Sequence, residues 1–398
     1  MGIYAEYLDS NLDFVTLTAE RHNQLQRISD LRDGRDVLVY AADLNAGQNK
    51  GQALNPALLY INYSDLLPIS DQLSNLQGKK LDLILETPGG YAEVAEDIVR
   101  LLRSKYDDIA VIIPGWAKSA GTILAMAADE ILMESVSGLG PIDAQLTWQG
   151  KVFSAEAFLE MINKIKEETV TTGSLNRAYI PILQNISPGE IQSAQNALDF
   201  AKVLVVDWLV KYKFRNWGTH SSTGQPVTEQ GRKDRATEIA EKLCNHQRWL
   251  THGRSIKIED LRGMRLLITD YSERPELADA IRRYYTLLQM TFSSNAYKVF
   301  ETPKSQIYRF VAQQITPSPA MPAQQTEIAE RAFLNFKCGN CQQASKIQAN
   351  LDRAQPLEPG CFPYPADNKF HCPNCGAEQD LTDARRQIEL QSKKTIVT

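Results

Sequence analysis

The chain has 398 residues, of which 43% are hydrophobic and 23% charged, a balance typical of a globular protein with two or three domains. A net charge of −5 argues against a protein that binds nucleic acid or anionic membranes through its bulk charge. No apolar run reaches the roughly 18 residues of a transmembrane helix, and the N-terminus lacks the pattern of a secretory signal. We therefore expect no membrane anchor and a cytoplasmic location.

The first part of the chain predicts an α/β fold. Buried-looking strands alternate with helices of amphipathic spacing. A strand–helix–strand unit places its two strands parallel, with a right-handed crossover between them. The turns that follow neighbouring strands then meet at one edge of the sheet. Strands are predicted at 35–44, 81–86, 109–113 and 130–135, and helices at 64–76, 91–103 and 119–128.

Two of these turns carry residues suited to acyl transfer. A Pro-Gly-Gly turn with Gly89 and Gly90 follows one strand, and Ser119 opens the helix after the next strand. A serine at a helix N-terminus can act as a nucleophile, because the helix dipole favours its alkoxide. The N–H of Gly89 or Gly90, together with that of Ala120, could bind the oxyanion. The alternative is an ordinary helix cap beside an ordinary βα turn.

From residue 154 onward the pattern becomes helical, and a Pro-rich stretch then precedes a small cysteine-bearing segment. We predict helices at 155–168, 188–212, 234–246, 258–264 and 276–292. We divide the chain into a catalytic core at 1–150, a helical extension at 151–315, a linker at 316–332, a zinc-ribbon module at 333–382 and a charged tail at 383–398.

The C-terminal segment predicts a metal site. Two C-x-x-C knuckles can direct four thiolates at one Zn²⁺ ion, and a closed four-thiolate site is structural rather than catalytic. Cys361 and His371 are alternative ligands with poorer spacing. Zinc ribbons bind nucleic acid or protein, and the mixed charge of the tail leaves both partners open. The expected ligands are Cys338, Cys341, Cys372 and Cys375.

The paired turns resemble a known superfamily. The runs ILETPGGYAEVAEDIVRLL and GWAKSAGTILAMAADEILM are similar, in order and spacing, to the oxyanion and nucleophile elements of the protease branch of the ClpP/crotonase superfamily. That branch includes Clp protease subunits and signal peptide peptidase A. The run SAGT…AMAADEI…GLGPID, followed by WLTHGRSI, is most similar to the serine dehydrogenase proteinase family. The general pattern of the resemblance extends over residues 35–300, and its specific motifs lie within residues 83–143.

This resemblance implies a spiral of ββα units with a helical extension and, from the cysteines, a small C-terminal zinc ribbon. It also implies a serine protease, most similar to ATP-independent peptidases, that acts on a peptide or protein substrate. Members of the superfamily generally oligomerise to enclose their sites, so the resemblance implies a homo-oligomer.

The general base is the open question of the site. Clp subunits use a histidine shortly after the serine, but the matching segment here reads Pro-Ile-Asp-Ala, which argues against a triad of that type. Signal peptide peptidase A uses a lysine farther downstream, and this favours Lys166, with Lys164 as the alternative on the same predicted helix. His252, in a His-Gly-Arg turn, could also present its imidazole to a cleft. Asp143 and Glu86 border the site and could orient a base or bind a substrate amine.

Two other functions fit parts of the sequence. A crotonase-type acyl-CoA enzyme would use both turns to stabilise a thioester enolate, but it leaves Ser119 without a role. A non-catalytic scaffold would retain the fold and use the zinc ribbon as its working surface. Loss of labelling by a fluorophosphonate probe in Ser119→Ala would separate the peptidase from both.

Overall fold

The protein is described by a computed structural model. The chain consists of two compact units, residues 1–314 and residues 315–398. The expected linker at 316–332 lies, up to residue 329, outside the described residues. The residues that the structure describes are 2–46, 54–148, 151–220, 223–311, 330–392 and 394–398.

The first unit is built on a seven-stranded sheet. Its strands, with two short pairs beside it, are β1 Asp36–Ala42, β2 Lys80–Glu86, β3 Asp108–Ile112, β4 Trp116–Ala117, β5 Glu130–Met133, β6 Gly138–Leu139, β7 Gln145–Trp148, β8 Lys151–Ser154, β9 Thr269–Asp270, β10 Ala296–Glu301 and β11 Gln306–Phe310. The order in the sheet is β11-β10-β1-β2-β3-β5-β9. The run from β1 to β9 is parallel, whereas β10 and β11 pair antiparallel at one edge. The short pairs are β4 with β6 and β7 with β8.

Helices cover both faces of this sheet. They are α1 Ile3–Asp9, α2 Phe14–Leu31, α3 Leu66–Ser74, α4 Ala92–Arg103, α5 Ala120–Met126, α6 Ala155–Thr172, α7 Ile180–Leu183, α8 Pro188–Trp208, α9 Glu229–Cys244, α10 His246–Trp249, α11 Ile258–Gly263 and α12 Pro275–Phe292. The end of α8 continues as a π-helical turn, Leu209–Lys213. Single 3₁₀ turns occur at Pro56–Leu58, Tyr63–Asp65, Arg177–Tyr179 and Tyr271–Glu273.

The inner strands are buried on both faces, so neighbouring residues enter different cores. In β1, Val37 and Val39 pack with α2 and α12 on one face. Leu38 and Tyr40 face the opposite core, which also receives side chains of α3, α4, α5, α8 and α9. This is why the central strands read as continuous apolar runs rather than as alternating ones. The result is a three-layer α/β/α arrangement whose parallel strands end at the edge that carries the paired turns.

The second unit is a small sheet with one helix. Its elements are β12 Arg331–Lys337, β13 Ala344–Leu351, β14 Cys361–Pro363, β15 Lys369–His371, β16 Glu378–Asp380, α13 Thr382–Ser392 and β17 Ile396–Val397. The strand order is β12-β13-β14, with β17 also on β13, and β15 pairs with β16. The expected charged tail at 383–398 thus contains a helix and a strand, because Ile388 and Ile396 pack into the core of this unit.

No helix within the described ranges is long and apolar enough to cross a bilayer. The predicted elements around the paired turns occur in the structure with shifted ends. The sequence did not reveal β10 and β11, which extend the sheet beyond β1.

Candidate active site and cysteine cluster

Ser119 has a backbone conformation that residues with side chains rarely adopt. Its φ is 51° and its ψ is −117°, at the residue preceding α5. Such a conformation costs of order 1–3 kcal/mol and persists only where the surroundings impose it. The Thr122 hydroxyl supports the turn, since it donates to the Ala117 carbonyl at 2.9 Å and accepts from the Gly140 N–H at 3.0 Å. The Ser119 hydroxyl does not cap α5 and has no hydrogen-bond partner among the described residues.

The glycine turn lies directly against Ser119. A Cβ on Gly89 would lie 2.6 Å from the Ser119 Cβ, so only glycine fits there. Gly89 and Gly90 both have positive φ, 103° and 151°. A short backbone pairing holds the turn: the Ile61 N–H donates to the Gly89 carbonyl at 2.7 Å, and the Tyr91 N–H donates to the Ile61 carbonyl at 3.0 Å. The two turns predicted to meet at the sheet edge are therefore in contact.

Two backbone donors beside the serine are unpaired within the described part of the chain. The Gly89 N–H is engaged, because it donates to the Thr87 hydroxyl at 3.2 Å. The exposed Gly90 N–H and the Ala120 N–H have no acceptor among the described residues. A Cβ on Gly89 would also lie 3.3 Å from the Ala120 nitrogen, so the helix N-terminus and the glycine turn share one space. The unpaired backbone donors next to Ser119 are therefore those of Gly90 and Ala120.

Asp143 links two histidines. Its carboxylate is buried, and one oxygen contacts Nδ1 of His252 while the other lies 3.1 Å from Nδ1 of His246. An imidazole bound to a carboxylate through Nδ1 carries its proton there, which leaves Nε2 as a proton acceptor. The His252 side chain is about one-third exposed, at 34%. His246 was not recognisable as a site residue from the sequence, because its pairing with Asp143 arises only from the tertiary fold.

The His252 turn is held beside the serine turn. The Lys118 Nζ donates to the Gly253 carbonyl at 2.6 Å, so one lysine side chain spans the two turns. Leu139 and Ile256 exchange backbone hydrogen bonds of 3.0 and 2.8 Å, which anchors the segment after the turn to β6. No hydrogen bond joins Ser119 and His252 in the described structure. Such catalytic contacts often tighten only when substrate binds.

Lys164 and Lys166, the bases favoured by the resemblance, both lie on α6. Both are exposed on α6 and flank Ile165, which is buried. Neither forms a hydrogen bond or ion pair with another residue in the described ranges. The His252 turn contacts the serine turn through Lys118, and the assignment of Lys166 or Lys164 as the base stays a prediction.

Glu86 lies beneath the site. Its carboxyl group is fully buried and accepts a hydrogen bond from the Trp116 N–H at 2.8 Å and another from the Tyr285 hydroxyl at 3.1 Å. Burial raises the pKa of Glu86 to about 8, although both hydrogen bonds favour the ionised form. Because Trp116 begins the strand that leads to Ser119, this carboxyl group supports the turn from below.

Residues 68–198, which include both turns and Asp143, match the family model of ClpP-like SDH-type serine proteinases. These residues resemble that family. The matched segment includes Ser119, Gly89, Gly90 and Asp143 but ends before His252, so the histidine lies in a part of the chain beyond the family match.

The chain also has similar proteins and structures. Uncharacterized protein MJ1495 of Methanocaldococcus jannaschii is 35% identical over 100 residues, 25% of this chain and 34% of that protein. Uncharacterized protein MJ0137 of the same organism is 44% identical over 68 residues, 17% of this chain and 24% of that protein. The chain thus matches about a third or less of the length of these curated relatives.

Two solved structures are of mutants of the 1510-N membrane-bound stomatin-specific protease, the second in complex with a substrate peptide. The first is 15% identical, covers 56% of this chain and 79% of its own, and has a TM-score of 0.31. The second is 16% identical, covers 62% of this chain and 78% of its own, and has a TM-score of 0.29.

The four predicted metal ligands form a cluster in the second unit. Their sulfur atoms all lie within 4.8 Å of one another. Cys338 and Cys375, and likewise Cys341 and Cys372, have Sγ atoms 3.6 Å apart. A tetrahedral ion with bonds of about 2.3 Å requires sulfur separations of about 3.8 Å, so the cluster has the dimensions of a metal site.

The two knuckles have matching backbones. In each, the residue after the second cysteine adopts positive φ, 61° at Gln342 and 70° at Gly376. Their N–H groups donate to the carbonyls of Cys338 and Cys372, both at 2.9 Å. The alternative ligands do not belong to the cluster, since Cys361 is buried in β14 and the His371 side chain is 63% exposed.

Proposed function

We propose that this protein is a serine peptidase with Ser119 as its nucleophile. The observation that carries the proposal is the strained Ser119 backbone, which presents an unpaired hydroxyl beside two unpaired N–H groups. The match of residues 68–198 to the family model of serine proteinases supports this proposal. Attack of the serine oxygen on a peptide carbonyl would develop negative charge on the carbonyl oxygen, and the N–H groups of Gly90 and Ala120 would stabilise that charge.

We assign the role of general base to His252, oriented by Asp143. Nε2 of His252 would take the proton of Ser119 as the oxygen attacks, and would return it to the leaving amine as the peptide bond breaks. Water would then attack the acyl-enzyme. His252 would take a proton from this water and return it to the Ser119 oxygen as the ester bond breaks. Asp143 would stabilise the imidazolium. In this proposal Lys164 and Lys166 have no catalytic role, and hydrolysis needs no nucleotide.

We propose that the cysteine cluster binds Zn²⁺ as a structural ion. Four thiolate ligands suit zinc and leave no open coordination position for catalysis. The ion would hold the two knuckles of a unit whose own core is small. The outer surface of this ribbon would then contact protein or nucleic acid.

We further propose a reducing compartment, the cytoplasm, because Cys244 and Cys361 are buried free thiols and the other four cysteines form the metal cluster. The homo-oligomer implied by the resemblance remains part of this proposal.

The nucleophile is tested with a fluorophosphonate probe on the full chain. We expect covalent labelling of wild type and none of Ser119→Ala, with peptide cleavage lost in the same variant. Ser104→Ala, which removes an exposed hydroxyl that bonds only the Leu101 carbonyl, is the matched control and should retain labelling at Ser119. Equal labelling of wild type and Ser119→Ala would refute the assignment.

A further inference from the structure

We propose that the active site selects peptides with acidic side chains near the scissile bond. This inference rests on the proposed peptidase function. It is carried by a group of cations around the His252 turn that have no carboxylate partner within the described ranges. We call this group the cationic rim, and its members are Lys118, Arg248, Arg254 and Lys257.

The two arginines of the rim lie over the same indole. The Arg248 guanidinium carbon is 5.1 Å and the Arg254 guanidinium carbon 5.8 Å from the centre of a Trp249 ring. Both arginines are exposed, whereas Trp249 is buried. The ring thus brings two guanidinium groups together on either side of the turn that presents His252.

The two lysines of the rim are bound only to neutral carbonyls. Lys118 donates to the Gly253 carbonyl at 2.6 Å, and Lys257 donates to the carbonyls of Val136 and Ser137, each at 2.8 Å. These contacts fix the positions of the ammonium groups but leave their charges uncompensated. In accord with this, burial and the neighbouring Lys257 charge lower the pKa of Lys118.

Three acidic groups beside the rim are occupied elsewhere. Asp143 is shared by the two histidines, and Glu156 accepts the backbone N–H of His246. Asp260 accepts the backbone N–H of Lys257 at 3.0 Å. Across the described residues, no carboxylate lies within 4.0 Å of a rim cation, although the chain carries a net charge of −5. A positive patch in an acidic protein, continuous with Lys118 and thus with the serine turn, favours a negatively charged ligand.

An acidic peptide fits this patch better than a nucleic acid does. Single-stranded nucleic acids bind by stacking their bases on exposed aromatic rings. The aromatic ring of the rim is buried, and its Nε1–H donates to the Lys242 carbonyl at 2.7 Å. Exposed guanidinium groups instead form paired hydrogen bonds with the carboxylates of aspartate and glutamate.

The test compares three fluorogenic peptides that differ only in the residues flanking the scissile bond, which are glutamate, glutamine or lysine. We expect wild type to show kcat/KM about three- to tenfold higher for the glutamate peptide than for the glutamine peptide, and lowest for the lysine peptide. Arg254→Gln and Arg248→Gln should each reduce the glutamate-to-glutamine ratio, and Arg254→Glu should invert it. Arg177→Gln, at an exposed arginine outside the rim, should leave the ratio unchanged.

Binding to the Ser119→Ala protein separates this inference from the peptidase proposal. We expect fluorescence anisotropy to show tighter binding of the glutamate peptide, with an affinity that falls as salt rises. If wild type cleaves none of the peptides while Ser119→Ala still binds the glutamate peptide more tightly, the peptidase function is refuted but the charge preference is not. Equal rates for the three peptides, or tighter binding of an oligothymidylate of equal charge, would overturn the inference.

Discussion

Ser119 has an unfavourable backbone conformation, and its side chain does not cap the helix that follows it. Nearby groups impose this conformation: the Gly89 backbone lies against the serine side chain, and the Thr122 hydroxyl bridges two carbonyl-bearing segments. A serine that simply capped α5 would point its oxygen back at the helix N–H groups. Here the oxygen is unpaired within the described structure, which leaves it available to a general base and to a substrate carbonyl.

The assignment of the base makes opposite predictions for the histidine and the lysines. We expect His252→Ala to lower kcat/KM by about 10²–10⁴-fold, because general-base catalysis contributes that much. Asp143→Asn should also lower it, since the amide no longer stabilises the imidazolium. Lys164→Ala and Lys166→Ala serve as matched controls and should retain activity. Loss of activity in Lys166→Ala, with activity retained in His252→Ala, would instead identify Lys166 as the general base.

Glu86 makes stability depend on pH. In the folded state its pKa is raised from 4.5 to about 8, so between these values the folded protein keeps a proton that the unfolded chain releases. Stability therefore falls as pH rises through this window, by up to about 1.4 kcal/mol per pH unit. Between about pH 5 and about pH 8, the free energy of unfolding measured in urea should fall by about 3 kcal/mol less in Glu86→Gln than in wild type. Glu93→Gln, at an exposed carboxyl group on α4, is the control, and identical profiles for Glu86→Gln and wild type would contradict the argument.

At the scale of elements, three short segments form the base of the site. β4 leads into Ser119, β6 pairs with β4, and Ile256 pairs with Leu139 of β6. Few backbone hydrogen bonds hold these segments together, so side chains such as Lys118 contribute to their alignment. The serine turn therefore depends on a segment that is distant in sequence.

The cysteine cluster predicts that metal and fold are coupled in the second unit. We expect the purified protein to contain one zinc per chain by mass spectrometry, and Cys338→Ser to lose it. The unit should then become sensitive to proteolysis, because metal binding supplies much of its folding free energy. Cys361→Ser, at a buried cysteine outside the cluster, should keep the zinc. Full zinc content in Cys338→Ser would show that the cluster is not the site.

At the scale of the whole molecule, local features could be predicted from sequence and distant pairings could not. The glycine turn and Ser119 were recognisable because their chemistry lies within a few residues of well-marked strands. β10 was missed because its buried Lys298 and Glu301 interrupt the apolar pattern. Both are neutralised only in the fold, by ion pairs with Asp65 and Arg21.

Asp143 was a candidate to orient a base, but its contact with His252 could not be predicted, for the same reason. The two residues lie on different segments, and no periodicity or spacing relates them. The sequence offered His252, Lys164 and Lys166 as separate candidates, and only the tertiary contact with a buried carboxylate distinguishes the histidine from the lysines.

The position of β10 in the sheet has a consequence for synthesis. β1 lies between β2 and β10, and β10 is translated long after Ser119. While the ribosome is still adding residues before 252, the nascent chain carries the nucleophile without the proposed base, and β1 lacks one of its neighbours. With His252 as the proposed base, hydrolysis would require translation to pass residue 252, and the complete sheet would require translation through β10 and β11.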